Sequence, residues 1–146
     1  SPGYQNAVNA QITATAEQLK GLAADLQALV RQLRTENDTL SSIMAAKPAA
    51  PGPKATDSDK KQYQKAMNDW QARVSAQQNK INTLRNQIEQ KKREVEACKA
   101  KLDNLVNNML PQARDKDRAA LEKEVREAEK AAREALDKAG AALAAR

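Results

Sequence analysis

Few side chains in this sequence are equipped for chemistry, and those few are scattered. Cys98 is the single thiol, and histidine is absent. A cysteine nucleophile works as its thiolate and needs a neighbouring base or cation to form it. Without an imidazole, Cys98 reads instead as a small buried hydrophobe, or as a crosslinking point between parallel chains under oxidising conditions. One thiol and no imidazole do not make a zinc ligand set. The four glycines are isolated, so no phosphate-cradling loop is present. The densest basic run, Lys91-Lys92-Arg93, is hemmed in by Glu89, Glu94 and Glu96. A phosphate-binding groove wants basic residues free of acids and interleaved with stacking aromatics. Carboxylates are plentiful, but on helix faces open to water they lack the pocket that tunes a general acid or base. The expectation is a chain that is no enzyme and that uses no cofactor or metal.

What must position these residues is a set of long helices. From Tyr63 an apolar stripe runs through Met67, Trp70, Val74, Gln77, Ile81, Leu84, Ile88, Lys91, Val95, Cys98, Leu102, Leu105 and Met109. Its steps alternate four and three, the a/d spacing of a coiled coil. An earlier stripe has the same rule: Val8, Ile12, Thr15, Leu19, Leu22, Leu26, Leu29, Leu33, Glu36, Leu40, Ile43. Between them, residues 47–54 hold three prolines and a glycine. Proline removes an amide donor and clashes with the preceding turn, so no helix runs through. Thr56, Asp57, Ser58 and Asp59 then supply N-cap types and favourable charge at a helix start. Pro111 ends or kinks the second helix.

These signals divide the chain into a first coiled-coil helix within 1–46, a proline-rich turn at 47–57, a second long helix at 58–110, and an alanine- and charge-rich helix at 111–146. The third helix carries acid-first i,i+4 pairs such as Glu122/Arg126 and Glu129/Arg133. Its apolar stripe is thin: Leu121, Val125, Ala128, Ala132, Leu136, Ala139, Leu143. The fold class is therefore all-α, a long antiparallel helical hairpin of coiled-coil type with a third C-terminal helix. Phe is absent, Trp occurs once and Tyr twice, so the core is expected to be a strip between helices rather than an aromatic-rich globular interior.

An antiparallel register can be set on paper by requiring a to meet d. If paired residue numbers sum to 103, the turn centres on Pro51, Leu33 meets Trp70 and Leu26 meets Gln77. Cys98, Leu102, Leu105 and Met109 then overhang the first helix, and they become the candidate partner interface, covered by the third helix or by a second chain. The β-branched a positions Val74, Ile81, Ile88 and Val95 also suit a parallel two-chain rod. Three polar residues interrupt the seams: Glu36, Gln77 and Lys91. Each either tolerates its place, with the lysine ammonium reaching out to water, or helps to fix register and oligomer state.

The net charge is +6, and residues 57–110 carry 11 basic against 7 acidic groups. Such an interspersed excess reads first as a solvated face. The functional expectation is a structural or scaffolding coiled coil that contacts a protein partner, or further copies of itself as a homo-oligomer, through its helix seams. Its gross organisation is similar to the helical stalk and translocator coiled-coil domains of bacterial secretion systems, a likeness of composition and hairpin layout rather than of any motif. The alternative is a basic helical module acting on acidic lipid or nucleic-acid surfaces, for which the charge run is weak and the narrow seams are poorly shaped.

Overall fold

A computed structural model describes residues 1–145. It holds three α-helices, α1 (Pro2–Ala45), α2 (Asp57–Met109) and α3 (Asp115–Ala144), with one 3-10 turn at Leu110–Gln112. No strand occurs among the described residues, and the all-α hairpin with a third helix stands. None of these helices is long and apolar enough to cross a membrane.

Helix ends follow local chemistry. Thr56 caps α2: its Oγ1 accepts from the Asp59 amide, and the Asp59 carboxylate accepts from the Thr56 amide, both at 3.1 Å. This reciprocal arrangement satisfies two donors that the first turn leaves open. At Pro111, α2 tightens into the 3-10 turn, and Ala113 and Arg114 are extended. The carbonyls released there are met by side chains. Gln112 donates to the Asn108 carbonyl at 2.9 Å, and the Arg118 guanidinium donates to the Ala113 carbonyl at 2.9 Å.

The chain forms two compact units. The first comprises Ser1–Val30 and the chain from Gln87 onward, and three helical segments build it. Side-chain contacts join α1 to α3 at Asn9–Asp117, Thr13–Glu124, Lys20–Glu127 and Gln27–Lys138. The separation in residue number stays between 107 and 111 along this series, so α3 runs parallel to α1 and antiparallel to α2. Ile12, Leu19, Leu26, Ile88, Val95 and Leu102 are shut off from solvent. Across from them, Ala128, Ala132, Ala135 and Ala139 have no exposed surface at all. Alanine contributes little area per residue but lets α3 approach closely. The predicted stripe named Leu136; Ala135 takes the core instead and Leu136 is half-exposed, because the smaller side chain fits the tighter approach.

The second unit, Arg31–Asn86, contains the end of α1, the proline-rich segment and the first half of α2. It is two helices thick. Leu33, Ile43, Ile81 and Leu84 are buried, while Leu40, Tyr63, Met67, Trp70 and Val74 remain half-exposed. Trp70 donates its indole N–H to the Ile43 carbonyl at 2.7 Å, a carbonyl of the last turn of α1. Lys47 lies 5.7 Å from the centre of the same ring, a cation–π distance.

The register differs from the sequence expectation. In the second unit Trp70 meets Ile43 and Gln77 meets Glu36; in the first, Cys98 meets Thr15. Each pair sums to 113 rather than 103, a slide of ten residues or about 15 Å along the axis. The proline-rich segment is the cause. Ala45, the last residue of α1, stands level with Asn68, so residues 46–56 climb beside the first three turns of α2. Extended chain covers that rise easily at about 3.3 Å per residue, whereas the sum of 103 assumed a turn folded symmetrically about Pro51. The overhang also closes. Cys98 has a partner in α1 after all, and Leu105 stands level with Val8.

Candidate interaction surface

The polar seam residues find one another. Gln77 Nε2 donates to the Glu36 side chain at 2.7 Å and to the Glu36 main-chain carbonyl at 2.9 Å. Lys80 Nζ lies 3.2 Å from the other Glu36 oxygen. Gln77 is 9% exposed, so its amide depends on these partners. The Gln77 hydrogen bond first, and the Lys80 contact after it, hold the Glu36 carboxyl below the usual carboxylate range. Sequence reasoning named both interruptions but not their pairing, because the assumed register set Gln77 against Leu26.

Lys91 behaves as a reaching side chain. Its ammonium lies 2.7 Å from Glu94, which raises its pKa, with burial acting the other way. It borders a groove of about 560 Å³ with Gln18, Leu22, Glu94, Ala97, Cys98 and Lys101. Cys98 is 6% exposed and its thiol donates to the Thr15 carbonyl at 3.8 Å. Burial pushes that thiol up, away from the reactive thiolate. Of the four residues named as a partner interface, Cys98 and Leu102 are therefore covered by the chain itself, and Leu105 and Met109 are half-exposed. No group of acidic, thiol or imidazole side chains among the described residues could hold a metal ion.

A further acidic contact escaped sequence reading. Asp103 of α2 and Glu129 of α3 share a hydrogen bond that lowers the Asp103 pKa and raises that of Glu129, with burial and the Asp103 charge adding to the rise at Glu129. Lys99 lies 3.4 Å from Asp103 on the same side. Nothing in a heptad pattern signals such a pair, because it depends on where α3 docks.

These contacts define the side on which α3 sits. On α1 it is the a, e and b flank: Leu19 and Ala23 are buried, and Thr13 and Lys20 reach α3. On α2 the same flank carries Lys99, Leu102 and Asp103. In the second unit the corresponding heptad positions hold Leu40 and Met44 on α1, and Met67 and Val74 on α2. Met44 is 48% exposed and the other three are half-exposed. The signal for this strip is in the sequence, at a and e positions, but exposure there is visible only when the helices are paired. No family model, curated protein or solved structure matches this chain.

Proposed function

We propose that this protein is a structural scaffold that works through helix-to-helix contact with a protein partner or further copies of itself, as a stalk or spacer segment of a larger assembly would, and that it carries out no catalysis. The observation supporting this reading is the two-helix unit. Leu40, Met44, Met67 and Val74 stay partly open to water along one flank, the flank that a third helix occupies in the other unit. Apolar surface of this kind, ordered by rigid helices, suits a partner helix. Sedimentation velocity with small-angle scattering, across concentration and salt, tests the reading. Assembly that persists at high salt supports it; binding that appears only at low salt, on lipid or nucleic acid, overturns it.

The second reading is a basic module for acidic surfaces. It is favoured by charge segregation: residues 31–86 carry ten basic and five acidic side chains, most of the excess of the whole chain. Salt separates the readings, since contacts to phosphates weaken steeply as counterions compete.

A further inference from the structure

We infer that the open flank of the two-helix unit docks an amphipathic helix from another protein, one with acidic residues beside its apolar stripe. The inference deepens the scaffold reading and rests on it. Four apolar side chains mark the stripe of the site: Leu40, Met44, Met67 and Val74. Their spacing along each helix, four residues on α1 and seven on α2, suits the ridges of one further helix.

Charge selects the partner. On this flank, at a, b and e positions, the exposed basic residues are Arg34, Lys60 and Lys61, and the one acid is Asp57. Asp57 lies in the first turn of α2, where the positive helix end offsets it. The remaining flank positions are mostly amides and serines. The chain's own three-helix unit shows how such a flank is used. There Lys20 pairs with Glu127, and Thr13 and Asn9 donate to Glu124 and Asp117 of α3. Arg34 sits two heptads beyond Lys20, at the same helical position, and is exposed. A helix docked in the same manner would meet it with a carboxylate. A second copy of this chain is the poorer occupant, because a two-fold contact sets the basic flank against itself.

The test uses a fluorescent helical peptide with a leucine stripe flanked by glutamates, and its isomer flanked by lysines. Anisotropy reads binding to the whole chain. The glutamate peptide is expected to bind more tightly than its isomer. Arg34→Glu with Lys61→Glu should weaken it about fivefold, as two exposed ion pairs become repulsive, and should reverse the preference. Met44→Ser, at an exposed position that leaves the fold intact, should weaken both peptides. Equal or tighter binding of the lysine isomer overturns the acidic partner and leaves the scaffold reading in place. Binding indifferent to Met44→Ser and to charge reversal overturns the assignment of this flank. Capture by vesicles of phosphatidylcholine and phosphatidylserine, with neither peptide bound, overturns the scaffold reading as well.

Discussion

Replacing both Glu36 and Gln77 with leucine should leave the hairpin stable and make its register ambiguous. In the observed register the two side chains satisfy each other at 2.7 Å. In the register that sums to 103, Gln77 would face Leu26 and Glu36 would face Met67. Gln77 is the buried member of the pair, and an unmet buried polar group costs about 1–3 kcal/mol, so facing Leu26 would disfavour the shifted register by that order. That is a large share of the roughly 5–15 kcal/mol that stabilises a domain. Two leucines remove this gap. They also gain about 1.5–3 kcal/mol each if fully buried, which offsets the lost hydrogen bonds. What still favours the native register is the Trp70 bond to the Ile43 carbonyl, worth about 1 kcal/mol, together with the Cys98–Thr15 contact and the docking of α3 on the same two helices. Spin labels at Ser41 and Ala72, both exposed and level with each other, read the register in a Cys98→Ala background. The wild-type chain should give one distance, and the double variant a second, longer one. A single unchanged distance in the double variant, with unchanged stability, refutes the idea that this pair fixes the register.

Two further outcomes follow from the three-helix unit. Cys98, 6% exposed with its thiol pKa raised by burial, should react with thiol reagents only as fast as the protein opens; prompt labelling or disulfide dimers under mild oxidation would contradict its place in the core. For Glu129 the folded pKa is raised, so its contribution is present at low pH and lost as pH rises through that value, while Asp103, lowered, loses its contribution as pH falls through its own. Glu129→Gln should therefore raise stability at neutral pH by a few tenths to about 1 kcal/mol, modest because Asp103 is 44% exposed to screening water. The gain should shrink as pH falls and wild-type Glu129 takes up its own proton; denaturation melts at neutral and acidic pH measure it.

Periodicity made the helices legible. The alternating steps from Val8 to Ile43 and from Tyr63 to Met109 require helices, and Pro48, Pro51, Pro53 and Pro111 break them close to the observed ends. The α1 start at Pro2 lies outside the seam pattern because proline fits a first helical turn without loss. Register was hidden for a physical reason. One seam slid along another meets apolar seam positions at several offsets, so the choice falls to a few polar side chains, to the docking of α3 and to the path of the connecting segment. Gln77 and Glu36 were visible as interruptions, yet their pairing required knowing the path that residues 46–56 take. The position of α3 was equally hidden, since an alanine stripe fits many surfaces and names none.

The energetics of the open flank bear on what kind of contact it makes. Leu40, Met44, Met67 and Val74 are already partly covered, so a docked helix recovers only part of their burial. At half the usual gain, about 0.8–1.5 kcal/mol each, four side chains supply roughly 3–6 kcal/mol. Association costs about 4–15 kcal/mol in lost freedom. Apolar burial of these four side chains therefore offsets a cost at the low end of that range and falls well short of one at the high end, so the partner's own apolar stripe must supply the rest. Charge raises encounter rate and selects the partner more than it tightens the complex. A contact built this way is reversible, and its on-rate falls with salt. The flank is also not uniformly apolar, since positions 37, 64, 71 and 78 are amides. On the scaffold reading the two-helix unit would take an exchangeable partner, whereas the three-helix unit is closed by its own α3.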